Sequence, residues 1–303
     1  MQETRFENRV PYSGIVDRPV VPLPGNARVA LWVIPNIEHY EFLPRETNVR
    51  DPWPRTPHPD VLGYGMRDYG NRVGLWRMLE VLDKHNLKCT TSLSMSVYEH
   101  YPEIFEACES RGWDTLCHGM YNTRYHWGLA EDTERAYIHD CVDTFRRLTG
   151  RQLAGWFSPA TSHTLNTPDL VAEAGIRYYT DWFHDDQPFP MRVRSGQLIS
   201  VPYTVDLNDF ALERGTVDAP DFATMIRDYF DVVYQEGERQ PRVMAIALHP
   251  FIMGQPHRIK YLDEALAYIL GHEGVWQATG SQIADWYISN VLPGIETHLC
   301  EDR

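Results

Sequence analysis

Five short apolar runs of this sequence end in side chains that can move a proton or hold a charge. Asn36, Glu38, His39 and Glu41 follow "ARVALWVI", and His118 and Asn122 follow "WDTLC". Ser158, Thr161, Ser162 and His163 close or follow "LAGWFSP"; Asp181, His184, Asp185 and Asp186 close or follow "RYYTDW"; His249 ends "VMAIALH". Carboxylates and imidazoles exchange protons near neutral pH, so such a set points to general acid–base chemistry. In "LCHGMYN" a glycine follows His118, and Asn122 stands where a second histidine would complete a metal-binding pair. Glu38, His118 and one further group could still assemble a weak zinc site. A catalytic zinc wants about three N, O or S ligands, so the expectation is a site that works without a cofactor, with a divalent metal as the alternative.

Loops are polar in general, so each position also has a bland reading. Glu41 and His163 do not stand apart from it, and His126 and His257 read as structural or solvated. His249, at the very end of an apolar strand, needs a partner if buried. In "RDYGNRVG" Asp68 or Asn71 fits a helix N-cap; Arg67 and Arg72 instead suit a substrate carboxylate or carbonyl, onto which guanidinium groups fork.

The elements that must carry these residues alternate. "ARVALWVI", "KCTTSLS", "WDTLC", "LAGWFSP", "RYYTDW", "GQLISVPY", "RVMAIALHP" and "VWQAT" read as strands. Segments of helical period lie between them, including Arg72–Asn86, Tyr98–Gly112 and Ala130–Gly150. Short, nearly continuous apolar runs suit parallel strands buried on both faces, and seven or eight βα units predict an α/β barrel, closed or nearly so. In such a barrel all strand C-termini open onto one mouth, where active sites lie. His39–Gly70 and Phe183–Gly196 read as long irregular segments, suited to lids or subunit contacts.

The chain has 303 residues and a formal charge of −14, enough for one large domain and a poor match to nucleic acid. Its five cysteines are scattered, without a CxxC pair, as in a reducing compartment. The N-terminal "MQETRFENRVPYSG" lacks an apolar stretch, and no run is long enough to span a membrane. A cytoplasmic protein with no membrane partner is expected.

In order along the chain, "PNIEHYE", "RDYGNRVGLWRMLEVLDKH", "CHGMYN", "GWFSPATSHTLNTPDLVAEAGIRYYTDWFHDDQPF" and "ALHPFIMGQPHRI" resemble the motifs of the polysaccharide deacetylase superfamily. The resemblance covers about residues 25 to 290 and is nearest to the cytosolic branch of cofactor-independent allantoinases and cyclic imidases. It implies a distorted seven-stranded β/α barrel and a homo-oligomer, dimer or tetramer. Metal-dependent members carry two aspartates after the first strand, His-x₃-His in the second motif and an Arg before the Pro of the third. Here Asn36 and Glu38, His118-x₃-Asn122 and Ser158-Pro159 stand in those places.

The resemblance therefore implies an amidohydrolase of small non-peptide amides, cyclic or linear. Glu38 is the first choice as general base, with Asp181 as alternate. His118 and His249 would polarise the carbonyl or protonate the leaving nitrogen, and backbone N–H groups near Ser158–Ser162 would hold the oxyanion. Asn36, Arg67, Arg72, Asn122, Ser158 and Trp182 are expected to bind substrate. Trp32, Tyr69, Trp156, Tyr179 and Trp182 either wall a pocket or belong to the core. The alternatives are a metal-dependent N-deacetylase, with Glu38 and His118 as ligands, and a scaffold that has lost its chemistry.

Overall fold

A nine-residue strand, β1 (Val29–Ile37), is buried along its whole length and organises the sheet. The structure is a computed structural model and describes residues 9–44 and 57–301. Beside β1 lie β2 (Thr90–Leu93), β3 (Asp114–Cys117), β4 (Gly155–Trp156) and β5 (Tyr178–Tyr179), all parallel. An antiparallel pair follows, β6 (Phe189–Met191) and β7 (Leu198–Ser200), with β7 parallel to β5. On the other side of β1 runs β8 (Arg242–Leu248), and β9 (Val275–Gln277) pairs with the first three residues of β1. The order β6-β7-β5-β4-β3-β2-β1-β8 curls into an incomplete barrel. Single links span the remaining gap: Asn208 bridges Ala247, and the Val243 N–H donates to the Asp186 carbonyl at 2.8 Å. The α/β barrel is as expected, with nine strand segments where seven were implied. Part of the surplus is β6, which lies within Phe183–Gly196, a stretch without strand periodicity.

Side chains alternate across a strand, and that alternation sorts the core into two layers. Val29, Leu31 and Val33 face the surrounding helices. Ala30, Trp32 and Ile34 face the barrel interior with Leu116, Phe157, Tyr178, Ile199, Val201, Ala245 and Ala247, closed below by Ile283 and Tyr287. Continuing the inward parity beyond the apolar part reaches Asn36 on β1 and Glu38 just after it, His118 after β3, Tyr203 after β7 and His249 after β8. One register rule thus delivers a cluster of polar groups to the upper end of the barrel.

Helical turns run without a break from Val61 to Lys84, through a π-helical segment at Gly70–Gly74. This corrects two expectations: the end of His39–Gly70 is helical, and "RDYGNRVG" lies within a helix and does not start one. Residues 45–56 of that segment lie outside the described residues. The helix starts at Asp60, whose carboxylate accepts the Gly63 N–H at 3.0 Å. Its glycines and a preceding proline hide it from propensity reading. Gly70 and Gly74 let it press against the backbone of Pro250 and Phe251, where any Cβ would collide. That contact fixes the segment carrying His249. Among the described residues no helix is long and apolar enough to cross a membrane.

Candidate active site

Glu38 sits at the floor of a cavity of about 530 Å³ at the strand C-terminal mouth. His118 Nε2 lies 3.4 Å from its Oε1, and His249 Nε2 lies 3.6 Å from the same oxygen. The Tyr40 hydroxyl donates to Oε2 at 2.9 Å, and Asn122 Nδ2 donates to Tyr40 Oη at 2.6 Å. Asn71 Nδ2 holds the Glu38 carbonyl at 2.9 Å. All three titratable members are nearly inaccessible: Glu38 9%, His118 2% and His249 5% exposed.

Each ring is oriented from behind. His118 Nδ1 is 2.9 Å from the Phe157 carbonyl, which can only accept, so Nδ1 carries a proton and, in the neutral tautomer this selects, Nε2 is an acceptor. Glu38 Oε1 is an acceptor too, and the two atoms are close enough for one water beside them in the cavity to donate to both. His249 Nδ1 lies 2.7 Å from Asp209 Oδ1, and its own backbone N–H donates to Oδ2 at 2.8 Å. Gly119, with φ of 68°, keeps the loop after β3 tight, because a Cβ there would strike the Tyr137 hydroxyl and the Pro159 ring.

Burial works against every charge here, and the pairing overcomes it. Burial alone would raise Glu38; the charge and hydrogen bond of His249, with His118 adding to them, outweigh it and hold the carboxyl far below its usual range. Burial alone would lower His249; the Glu38 and Asp209 carboxylates lift it to about 10. His249 is therefore an imidazolium at neutral pH, aimed through Nε2–H at Glu38 and the cavity. Tyr40 is pushed well above its ordinary value by burial and by the Glu38 carboxylate, so it stays a donor.

Of the expected site residues, Glu38, His118, His249, Asn122 and Arg67 line the cavity. Arg67 is anchored by Glu213 at 3.2 Å and lies over the Phe251 and Tyr40 rings. Asn36 is one layer behind, donating to Tyr203 Oη at 3.2 Å. Arg72 points to solvent, 69% exposed, and pairs with Asp68. Asp181 shares the outward parity of Tyr179, and its carboxylate accepts the Ser158 N–H at 2.7 Å. It therefore stands as a backbone anchor and not beside Glu38. The Ser158 hydroxyl accepts from Trp156 at 3.0 Å. The N–H groups of Ser158, Thr161 and Ser162 all donate within the protein, so none of them is free to hold an oxyanion. Trp182 lines a neighbouring hollow against the 10–18 segment. Trp32, Trp156 and Tyr179 are core, fully buried; the walls are Tyr40, Tyr125, Phe157, Phe183, Tyr203 and Phe210.

Asp209, Tyr40 and Tyr203 were not singled out in the sequence. Strand parity through "LISVPY" could have found Tyr203. Asp209 sits on a connecting segment after Asn208, with no periodicity to mark it.

Residues 64–179 match the polysaccharide deacetylase family. A Schizosaccharomyces pombe protein named as a polysaccharide deacetylase is 31% identical over 294 residues, covering 87% of this chain and 91% of the relative. This chain belongs to the polysaccharide deacetylase family. A Helicobacter pylori peptidoglycan deacetylase is 23% identical over 76% of the chain and 88% of its own length. Among solved structures, PuuE allantoinase superposes with a TM-score of 0.82 at 26% identity, covering 92% of this chain and 99% of its own. A Pseudomonas aeruginosa PAO1 protein named as a polysaccharide deacetylase gives 0.82 at 27% identity, covering 92% and 98%. The barrel is thus the family's, and the chain falls within hydrolases of carbon–nitrogen bonds.

Members of this deacetylase family often use a metal, and the donor set here does not fit one. Among the described residues no group of three or more His, Cys, Asp or Glu side chains is arranged to hold a metal ion. Glu38 and His118 supply two donors. His249 has its Nδ1 held by Asp209 and its Nε2 turned to the same Glu38 oxygen that His118 faces. Asn122 turns its amide nitrogen to Tyr40 and leaves only a weakly donating amide oxygen.

Proposed function

We propose that this chain hydrolyses a carbon–nitrogen bond in a small non-peptide amide, cyclic or linear, as an allantoinase does. The observation that carries this reading is the pairing of an ionised Glu38 with an imidazolium His249 at the floor of an aromatic-walled cavity of about 530 Å³. That volume suits a small molecule. The likeness to PuuE allantoinase along nearly the whole chain supports it.

A water held between Glu38 Oε1 and His118 Nε2 loses a proton to Glu38 and adds through oxygen to the amide carbon. The tetrahedral species collapses, the C–N bond breaks, and His249 gives its Nε2 proton to the departing nitrogen. Glu38 then returns its proton to His249. Glu38 is a weak base at the outset, because the neighbouring positive charge depresses it. That charge disappears when His249 gives up its proton, so the two transfers assist each other. Arg67 and the aromatic walls orient the substrate.

A second reading is deacetylation of an N-acetyl sugar or related amide, with Glu38 and His118 as metal ligands. It is favoured by the relatives' names and by two imidazole nitrogens facing one carboxylate oxygen. Purified protein is offered allantoin, hydantoins, cyclic imides and N-acetyl amines, with and without added divalent ions. Turnover of a ureide or imide supports the first reading; turnover confined to N-acetyl amines with added metal replaces it by the second. We also propose a homo-oligomer, with the exposed Leu62, Met66 and Trp76 of the 61–84 helical segment as contact residues; a single monomeric species in sedimentation would refute it.

A further inference from the structure

Two tyrosines border the catalytic cluster, and hydrogen-bond polarity sends their protons in opposite directions. Tyr40 must give its proton to Glu38, because a carboxylate only accepts. Tyr203 faces two amide side chains whose orientations the backbone decides. Asn36 places its Nδ2 3.3 Å from the Ile34 carbonyl and 3.2 Å from Tyr203 Oη. Flipping that amide would set two oxygens against each other at Ile34. Asn208 Oδ1 accepts the Phe210 N–H at 2.9 Å, which leaves Nδ2 facing Tyr203 Oη at 3.3 Å. Both amides therefore donate to Tyr203, and neither can take its proton.

Among the described residues no protein acceptor takes that proton. A buried hydroxyl seldom leaves its proton unpaired. Tyr203 lines the cavity and is 2% exposed. Its ring is stacked on Phe157 at 4.6 Å, and Phe157 is stacked on His118 at 4.8 Å, so the hydroxyl is held in fixed relation to the proton-moving groups.

We propose that the Tyr203 hydroxyl donates a hydrogen bond to the carbonyl oxygen of the scissile amide and to the oxyanion it becomes. This assignment rests on the amide-hydrolysis reading above. It supplies an electrophile where neither a metal donor set nor the Ser158, Thr161 or Ser162 N–H groups do so. The proton stays on Tyr203 throughout. Burial keeps the phenol protonated, and the Asp209 and Glu38 carboxylates add to that against the hydrogen bond from Asn36. A pre-aimed donor in a water-poor site strengthens as negative charge develops on the oxygen, so its effect falls on kcat more than on KM.

The test combines kinetics and spectroscopy on the full chain. Tyr203→Phe is expected to lower kcat by about a hundred- to a thousandfold, the size seen for removal of one oxyanion donor, with little change in KM. Asn208→Asp still accepts the Phe210 N–H but now also accepts the Tyr203 proton, turning it away from the cavity. It should reproduce the loss, and adding it to Tyr203→Phe should cost little more. With ¹³C-carbonyl-labelled hydantoin and succinimide, the bound carbonyl stretch should lie below its frequency in water, and the shift should vanish in Tyr203→Phe. Hydrolysis that survives Tyr203→Phe within about threefold overturns the assignment and leaves amide hydrolysis standing. A stretch that shifts with Tyr203 but no cleavage upholds the assignment and overturns the hydrolysis reading. An identical stretch in both proteins, or no binding of either amide, overturns the assignment.

Discussion

Two buried histidine–carboxylate clusters lie in the same barrel, and only one is built for chemistry. His126 and Glu134 are both fully buried, with Nδ1 2.9 Å from Oε1. Thr164 donates to the other oxygen at 2.5 Å, and Thr167 adds a further short bond to Oε1. Both oxygens of that carboxylate are held at short range by fixed donors, and the cluster ties the loop after β3 and the helix over Glu131–Thr149 to the segment after β4. Glu38 has one close donor, Tyr40, while its other oxygen faces two imidazole nitrogens at 3.4 and 3.6 Å across a cavity wall. Residue type does not separate the two clusters; slack does. A carboxylate saturated at short range is structural, and one left room for a water can act.

The sharpest way to break this contrast is mutation of both clusters. Glu38→Gln and His118→Ala should each lower kcat/KM by at least about a thousandfold, near the upper range for losing an acid–base group, with an unchanged circular dichroism spectrum. Glu134→Ala should do the reverse: it leaves a buried imidazole unpaired and costs about 1–3 kcal/mol in denaturant unfolding, with kcat altered far less. Near-normal turnover in Glu38→Gln would dissolve the distinction.

The pH profile comes next. His249 must carry its proton to act as the acid, so activity should fall as pH rises through about 10. The same pairing contributes stability that is fully present below the ordinary imidazole value of 6.5 and is lost as pH rises through about 10. Asp209→Asn removes one of the carboxylates that hold His249 up, so both alkaline limbs should move to lower pH. An unmoved limb in kcat/KM against pH would assign the acid to another group.

Smaller effects are expected elsewhere. Exhaustive chelation should leave activity unchanged, and Asn122→His should raise zinc affinity in a binding titration without raising turnover. Loss on chelation with recovery by a stoichiometric divalent ion would favour the metal-dependent reading. Arg72→Ala, on the solvent side of its helix, should change kcat/KM by less than about threefold; a large loss would mean that the cavity's walls extend beyond those described.

Much of this was legible in the chain. Short buried runs alternating with helical segments specify an α/β barrel, and polar groups at strand ends belong at its mouth. His118 and His249 lie two residues beyond an inward-facing apolar side chain and Glu38 four beyond Ile34, so all three share the inward parity, a relation written in the linear order of β1, β3 and β8. The helix over Val61–Tyr69 was hidden by its glycines, and Asp181 looked equivalent to Glu38 because type and distance from a strand do not reveal parity.

What the sequence by itself determined is therefore the local, periodic part: which runs become strands, which face each side chain takes, and the missing second imidazole at Asn122. The tertiary structure alone decided the partnerships. Asp209 meets His249 across 40 residues, Asn36 meets Tyr203 across 167, and Tyr40 meets Asn122 across 82. Proton affinity and hydrogen-bond direction depend on distances of a few ångströms between side chains, and only closure of the barrel brings such distant positions that close.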